Sequence, residues 1–427
     1  MSSPGSPKGE CRRAQPEGTS MSARDPHTAG AVLTIDLDAI VANWRRLRSR
    51  IGGAECAAVL KADAYGLGAA QVGSALAAVG ARQFFVAHLD EALALQPHLP
   101  ADAKVSVLHG PTPGSEPEFA AHGVRPVLNS RAQIDAWRRL AQRLGRELPA
   151  AVQADTGMAR LGLDEAELRA LDGRPDAFDG VRVELVMSHL ACAEDPANPA
   201  NAAQLERFGA ARRRLPRAPA SLANSSGIFL GSAYHFDLVR PGAALYGIAP
   251  VAGAANPMQP VVRLQGRVIQ VREIAAHTPV GYGGAWRSPQ PARIATVSVG
   301  YADGWLRALG DRASVSFGAA LLPIVGRVSM DTITVDASTL CADAIAPGDL
   351  VELLGAHADA DRVGAQAGTI GYEILTSLGR RYARVYRGGE GCSPAARPDG
   401  ADASQRRARA RPIGADRRKA QPEAIEA

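Results

Sequence analysis

The sequence predicts an α/β chain: a TIM-type (β/α)8 barrel followed by a mainly antiparallel β domain. From about residue 31, short β-branched or apolar runs alternate with segments of helical periodicity over roughly 220 residues. Many strand–helix repeats of this kind favour a parallel barrel over an open sheet. Beyond about residue 258 the runs are strand-like and separated by Gly, Pro and Asp turns. That pattern is typical of a separate antiparallel domain.

Each predicted element has its own run of residues. The barrel strands are predicted from AVLTIDL, CAAVLKA, FFVAH, KVSVLHG, RPVLN, AAVQAD, VELVMSHL, SLANS and DLVRPG. The strands of the β domain are predicted from VVRLQGRVIQVREI, ARIATVSVG, ASVSF, LLPIVGRVSM, TITVDA, DLVELLG and RYARVYRG, and one helix from VGAQAGTIGYEILTSLG. The predicted division is an N-terminal extension (1–29), the barrel (30–257), the β domain (258–390) and a basic tail (391–427). Both end segments are predicted to be disordered, because Gly, Pro, Ala and charge leave little apolar area to bury.

Composition narrows the class of protein. The net charge is +5, but residues 391–427 hold eight Arg or Lys against five Asp or Glu, and residues 1–29 hold four against three. The part between is nearly neutral, which argues against a nucleic-acid partner. No apolar run reaches the length of a membrane helix, and the first thirty residues lack the apolar stretch of a secretory signal, so a cytoplasmic location without membrane attachment is expected. Five scattered cysteines without a C-x-x-C pair argue against a disulfide framework and a metal site.

Polar residues follow the predicted barrel strands where catalytic groups of barrel enzymes lie. They are Lys61, Asp155, His189, Asn224, Ser225 and Arg240. Because catalytic groups sit at the carboxyl ends of barrel strands, these side chains are expected to face one cavity. The set is rich in groups that bind phosphate and tune an aromatic ring. No H-E-x-x-H or Walker pattern competes with it.

Lys61 is the most informative of these residues. A lysine at the end of a buried strand loses hydration, which favours the neutral, nucleophilic amine. Such an amine forms a Schiff base with an aldehyde cofactor. The alternative is a lysine whose ammonium extends to solvent, and the residue alone leaves both interpretations open.

Motifs around Lys61 and further along the chain resemble those of the alanine racemases. AAVLKADAYGLGA resembles the pyridoxal-phosphate signature of that family. Eight further matches follow in the family's order: ADTGMARLG, MSHLA, ANSSG, DLVRPGAALYG, VGYGGAW, VSVGYADG, GRVSMDTITVD and IGYE. The resemblance extends over about residues 31–388. It implies a pyridoxal 5'-phosphate enzyme that interconverts L- and D-alanine and supplies D-alanine for peptidoglycan.

The resemblance also implies roles for residues of the barrel. Lys61 is implied to bind the cofactor and to act as one of two acid–base groups. Arg240 is implied to face the pyridine nitrogen, which a donor-only guanidinium leaves unprotonated, and this favours racemisation over transamination. His189 is implied to stack on the ring and to be linked to Arg240. The remaining cofactor contacts are implied to be Tyr65, Arg160, Asn224, Ser225, Gly242 and Tyr372, with Arg160 also near the substrate.

The β domain is implied to complete the site. Racemisation needs a base on each face of the planar Cα, and Tyr282 matches the family's second base, which comes from the partner subunit. A homodimer with shared active sites follows. Met330 and Asp331 match a loop near the substrate carboxylate, and Tyr301 matches a tyrosine at the entrance to the substrate site.

Two departures and three alternatives stand beside this interpretation. Gln153 occupies the place of a lysine that the family often carries in modified form, and Leu67 replaces the family's common histidine. A barrel decarboxylase would want a carboxylate where Arg240 stands. A non-catalytic pyridoxal-phosphate carrier resembles only the barrel, whereas this chain continues into residues 258–388. A broad-spectrum amino-acid racemase is the nearest alternative, because the range of substrates depends on the shape of the pocket and the sequence does not give that shape.

Overall fold

The computed structural model of the chain describes residues 24–389, and its first part is a ring of parallel strands. Seven strands pair in chain order, and the eighth closes the ring by pairing with Glu55–Cys56 and by hydrogen bonds between residues 237–240 and 220–223. The strands are Glu55–Cys56 with Ala58–Val59, Gln83–Val86, Lys104–Val107, Arg125–Leu128, Leu148–Gln153, Val181–Met187, Ala220–Ser221 and Leu238–Val239. The predicted barrel is confirmed.

Helices connect the strands, and local signals fix their ends. In the helix Arg131–Leu144 the Ser130 hydroxyl accepts a hydrogen bond from Gln133 N at 3.3 Å. Its apolar residues Ile134, Trp137 and Leu140 recur at helical spacing and are buried. The helix ends at Gly145, whose φ of 62° favours glycine. The other α-helices of the barrel part are Leu37–Arg48, Ala69–Ala78, Leu89–Leu95, Glu116–His122, Glu165–Arg169 and Pro199–Arg212.

A small apolar cluster fills the barrel interior. One or two residues from most strands point inward and pack together, apart from the larger core that lies between strands and helices. They are Ala57, Val59, Phe85, Val127, Ala151, Leu185, Met187 and Leu238. This plug of side chains makes the barrel a packed core rather than a pore, so polar side chains can gather only at its ends.

The second part of the chain is a mainly antiparallel sheet, as predicted. Its main order is Ala320–Pro323, Ser314–Phe317, Leu350–Leu354, Val262–Ile274, Ala31–Asp36 and Ala383–Arg387. Off this path, Ala292–Val297 pairs with Val262–Ile274, and Ile333–Asp336 pairs with Ala292–Val297. Pro279–Val280 pairs with Trp286–Arg287 in a separate hairpin. The predicted helical stretch forms two helices, Ala360–Ala367 and Gly371–Ser377, because Gly368 at φ 75° ends the first.

The run AVLTIDL lies in this sheet and not in the barrel, contrary to its expected place. Residues Ala31–Asp36 pair antiparallel with Val262–Ile274 and parallel with Ala383–Arg387. The first barrel position is taken instead by residues 55–59, after the helix Leu37–Arg48. An apolar strand suits either sheet, so its pairing depends on the distant strands it meets. The predicted boundary at residue 258 stays a prediction.

The predicted terminal segments fall mostly outside the described residues. Residues 1–23 and 390–427, including Cys11 and Cys392, are in that part of the chain. Within residues 24–389, Cys56, Cys192 and Cys341 are free. No helix in this range is long and apolar enough to cross a membrane.

Candidate active site

A cavity of about 680 Å³ lies at the carboxyl ends of the barrel strands, beside the helix Gly371–Ser377 of the β domain. It is lined by residues from most of the strand ends. The lining includes Val59, Lys61, Ala62, Tyr65, Ala87, Leu108, His109, Gln153, Arg160, Leu161, His189, Asn224, Ser225, Arg240, Gly242, Ala243, Tyr372 and Thr376. No Asp or Glu occurs in this lining.

The structure brings nine of the thirteen predicted site residues to this cavity. They are Lys61, Tyr65, Arg160, His189, Asn224, Ser225, Arg240, Gly242 and Tyr372. The other four do not line it and lie on the surface of the β domain: Tyr282, Tyr301, Met330 and Asp331. Asp155, also expected there, instead accepts hydrogen bonds from Gly157 N and Met158 N in its own loop.

Lys61 has a lowered pKa in this cavity. Burial is the main cause, and the positive charge of Arg160 lowers the pKa further, while the charge of Glu91 opposes the shift. A lower pKa enlarges the fraction of neutral amine near pH 7. The environment therefore shifts Lys61 toward its neutral, nucleophilic form.

Arg240 is held by acceptors on the neighbouring strands. Its guanidinium donates to Ser188 O at 2.5 Å and to the Ser221 hydroxyl. Only 3% of the residue is exposed, and burial lowers its pKa. With two neighbours orienting it, Arg240 presents a fixed positive charge to the cavity.

His189 lies on the cavity wall as a neutral imidazole. Burial lowers its pKa to about 3, and the nearby charges of Arg240, Arg160 and Lys61 act in the same direction. The hydrogen bonds of Arg240 go to Ser188 and Ser221, so Arg240 acts on His189 through its charge. The His189 carbonyl accepts from the Gln204 amide at 2.9 Å, which fixes the backbone that carries the ring.

The low pKa of His189 predicts an acid-sensitive term in stability. An unfolded imidazole titrates near pH 6.5, so between pH 6.5 and 3 the unfolded state binds one proton more. The stabilisation from His189 is fully present above pH 6.5 and is lost as the pH falls through this window. When the pH of cofactor-free protein is lowered from 7 to 4, we expect the free energy of unfolding to fall by about 3 kcal/mol less in H189N than in the wild type.

Urea unfolding at a series of pH values measures this difference. H98N, at an exposed histidine, serves as the control. If H189N and the wild type lose stability in parallel, His189 does not stay neutral in the folded protein.

A cradle of hydroxyl and backbone groups lines the same cavity as Lys61. The Ser225 hydroxyl accepts from Gly242 N at 3.0 Å and from Ala244 N at 3.2 Å, which leaves its proton free to be donated. Tyr65 lies beside Gly242, and its ring centroid is 6.1 Å from that of Tyr372. Burial raises the pKa of both phenols, so both hydroxyls keep their protons. Hydroxyl donors grouped in this way suit an anion such as phosphate.

Gln153 does not support Arg160 directly. Its amide donates to Leu161 O at 3.0 Å and so fixes the loop that carries Arg160, which itself is exposed along the cavity. The other departure, Leu67, contributes its backbone: Leu67 O accepts from the Tyr386 hydroxyl at 3.0 Å.

The four remaining predicted residues form an exposed surface on the β domain. Tyr282, Met330 and Tyr301 are 70%, 53% and 43% exposed, which is unusual for large apolar side chains. Tyr301 N donates to Ser329 O at 3.0 Å, which places Tyr301 beside Met330, and Gly281, which precedes Tyr282, lies near the backbone of Arg327. Asp331 pairs with Arg381 at 2.7 Å. This Tyr282 surface lies outside the cavity of its own chain.

Sequence reasoning did not single out Glu91, His109 and His88. His109 lines the cavity and packs edge-on against His88, with ring centroids 4.6 Å apart.

Glu91 contacts the backbone just after Lys61. Glu91 is the third residue of the helix Leu89–Leu95, a position where glutamate is expected to cap the helix. The capping position accounts for this glutamate in the sequence, so nothing there indicates its second hydrogen bond, to Ala62 N.

Fold and site together define a class. The chain is a closed parallel barrel joined to an antiparallel domain, with Lys61, the buried Arg240 and a group of hydroxyls around one cavity at the strand ends. This arrangement is typical of barrel enzymes that bind a phosphorylated aldehyde cofactor through a lysine.

Comparison with known proteins gives the family. Residues 35–250 match the model of the N-terminal domain of alanine racemase, and residues 261–386 match that of the C-terminal domain. The chain belongs to the alanine racemase family. It is 54% identical to the catabolic alanine racemase of Mesorhizobium japonicum (84% of this chain, 94% of that protein) and 51% identical to the alanine racemase of Rhodospirillum rubrum (84% and 96%).

Solved structures agree. The alanine racemase of Bartonella henselae, determined with covalently bound pyridoxal phosphate, superimposes with a TM-score of 0.82 at 45% identity. The match covers 84% of this chain and all of that one.

Proposed function

We propose that the protein is a pyridoxal-phosphate-dependent racemase that interconverts L- and D-alanine with Lys61 and Tyr282 as its two bases. The observation that carries the proposal is the Lys61 cavity, where a lysine of lowered pKa faces a buried arginine and an anion cradle. Family membership supplies the reaction, since the curated relatives are alanine racemases.

The residues present fit the cofactor. Lys61 offers an amine to its aldehyde, and Ser225, Tyr65 and Tyr372 offer hydroxyls to its phosphate. Gly242 supports the fit, because a Cβ there would meet the Tyr65 hydroxyl at 2.5 Å and would disturb the cradle. When bound, pyridoxal phosphate supplies a ring that withdraws electrons from the substrate Cα and so acidifies its proton.

The chain's own residues direct that chemistry. The neutral amine of Lys61 takes the Cα proton on one face, and the ammonium that this forms returns a proton to the same face. Arg240, charged and donor-only, can donate a hydrogen bond to the ring nitrogen but does not give up its proton to it, and among the described residues no carboxylate lines the cavity to keep that nitrogen protonated. Weak electron withdrawal favours rapid return of the proton to Cα, and thus racemisation. The lack of a cavity carboxylate in the described residues also disfavours the decarboxylase alternative.

A second chain is proposed to supply the other base. Tyr282 does not line the cavity of its own chain, and its aromatic ring is exposed on the β domain, as are Met330 and Tyr301. Docking this surface over the Lys61 cavity of a partner would bury apolar side chains and bring a phenol to the open face. We therefore propose a homodimer in which Tyr282, Tyr301, Met330 and Asp331 of one chain complete the site of the other.

The cradle yields a specific prediction. G242A is expected to displace Tyr65 and to weaken cofactor affinity about tenfold or more, by the loss of one good hydrogen bond to a charged group. Fluorescence titration of cofactor-free protein measures the affinity. G209A is the control, because a Cβ at this helical position meets no atom within 4 Å. Equal affinities of G242A and G209A would contradict the proposed phosphate site.

Chiral analysis of product tests the activity. Purified, cofactor-loaded protein is given L-alanine, L-serine and L-lysine in separate reactions. D-Alanine alone, or in large excess, is expected. Comparable D-serine or D-lysine would replace the proposal with a broad-spectrum racemase, and no D product with cofactor bound would contradict racemase activity and return the carrier alternative.

Supply of D-alanine for peptidoglycan stays a prediction. The reaction is reversible, and the relative from Mesorhizobium japonicum is named as catabolic. Growth of a D-alanine auxotroph that expresses this chain would show that it can supply D-alanine.

A further inference from the structure

The backbone that follows Lys61 is a left-handed turn. Four consecutive residues, Ala62 to Tyr65, have φ between 54° and 56° although none is glycine. Each is conformationally unfavourable, because in this region Cβ crowds the following carbonyl oxygen. A turn of this kind persists only where surrounding groups hold it. The turn is therefore a place to look for residues that fix the Lys61 amine.

Glu91 holds the beginning of the turn. Its Oε1 accepts a hydrogen bond from Ala62 N at 2.6 Å. Its Oε2 accepts from Ala87 N at 2.7 Å and from His88 N at 3.1 Å. Ala87 directly follows the strand Gln83–Val86, the neighbour of the strand that leads to Lys61. One carboxylate thus ties the residue after Lys61 to the end of the adjacent barrel strand, through bonds that its charge strengthens.

The far end of the turn is held separately. Arg384, on the last strand of the β domain, donates to Gly66 O at 2.6 Å, and the Tyr386 hydroxyl donates to Leu67 O. With that end anchored, release of Ala62 N would let the turn relax toward common backbone angles, and Lys61 would move with it.

We propose that Glu91 is a positioning residue that sets the direction of the Lys61 amine by holding Ala62 in the left-handed turn. This inference rests on Lys61 as the cofactor lysine of the proposed function. Glu91 does not line the cavity. Its effect on the reaction passes through the backbone of Ala62 and through its charge.

Another glutamate of the barrel provides a matched control. Glu167 is also the third residue of its helix, and its carboxylate accepts from Asp164 N at 3.4 Å and from Arg131 N at 2.9 Å. Like Glu91 it caps its helix and binds a second backbone segment, but that segment, at Arg131, does not line the cavity, whereas Ala62 does. Glutamine at either position keeps the shape and loses the charge and one acceptor oxygen. A purely structural role predicts equal effects of E91Q and E167Q.

The first test uses holoenzyme of wild type, E91Q, E167Q and K61A. For E91Q we expect hydroxylamine to release the cofactor about tenfold faster and kcat to fall about tenfold with little change in KM, which corresponds to one charge-assisted hydrogen bond. E167Q should match the wild type. The double variant E91Q/A62G should recover part of the cofactor retention, because glycine adopts the left-handed angles without penalty.

The second test is a pH profile of cofactor capture by cofactor-free protein, which requires the neutral Lys61 amine. Glu91 raises the pKa of Lys61, so E91Q should shift the midpoint of capture to lower pH, while E167Q should not. Identical behaviour of E91Q and E167Q in release, kcat and midpoint, or no recovery in E91Q/A62G, would overturn the inference. If wild type and K61A hold the cofactor equally, the proposed function fails instead.

Discussion

Replacement of Lys61 by alanine is expected to abolish racemisation and covalent binding of the cofactor. Lys61 follows the barrel strand Ala58–Val59, and burial lowers the pKa of its amine. Its loss removes both the attachment point and the base on one face, so a fall of at least about 10⁴-fold in kcat/KM is expected. The measurement is the rate of D-alanine formation, together with the absorbance of protein passed through a desalting column.

The chain offers a matched lysine for comparison. Lys61 and Lys104 are the only two lysines between residues 24 and 389. Lys104 begins its barrel strand, at the end opposite the cavity, and pairs with Glu184 at 2.9 Å. K104A should keep its cofactor and its activity. Should K61A retain covalently bound cofactor, or K104A lose it, the assignment of Lys61 would be wrong.

Replacement of Tyr282 by phenylalanine is expected to have the second largest effect. The change removes one hydroxyl from an exposed ring and should leave the fold of the chain intact. Because the phenol is the proposed second base, kcat/KM for racemisation should fall about 10²–10⁴-fold, as for other acid–base groups. Since the overall equilibrium is unchanged, the fall must be equal from L- and from D-alanine.

Exchange of the Cα hydrogen with solvent separates the two faces. In heavy water, Y282F should still exchange deuterium into one enantiomer without inversion, because Lys61 removes and returns a proton on its own face. The other enantiomer should exchange very slowly. Y234F, at a barrel tyrosine outside the cavity, is the control. An unchanged racemisation rate in Y282F would refute the two-base scheme.

The positions of the barrel site residues were predictable because each follows an apolar run. Carboxyl ends of parallel strands meet at one end of a barrel, so Lys61, His189 and Arg240 had to converge once the barrel was recognised. The roles assigned to them came from the resemblance, since a lone histidine or arginine is compatible with ordinary packing. Their roles in the reaction stay predictions until variants are measured.

Other features depend on tertiary context that no local pattern contains. Residues Ala31–Asp36 join the β-domain sheet because their partners lie more than 200 residues away. The left-handed angles of Ala62 to Tyr65 contradict the preference of every residue in that stretch and follow from contacts with Glu91, Arg384 and Tyr386. The distance of Tyr282 from its own cavity likewise becomes visible only in the folded chain.

Subunit complementation tests the central claim, that two chains build each active site, most directly. K61A and Y282F proteins, each inactive alone, are mixed under conditions in which co-purification through a tag on one of them shows subunit exchange. A mixed dimer has one site with both bases, so random pairing of equal amounts predicts recovery of about a quarter of wild-type activity. No recovery despite demonstrated exchange would contradict a site shared between Lys61 of one chain and Tyr282 of the other.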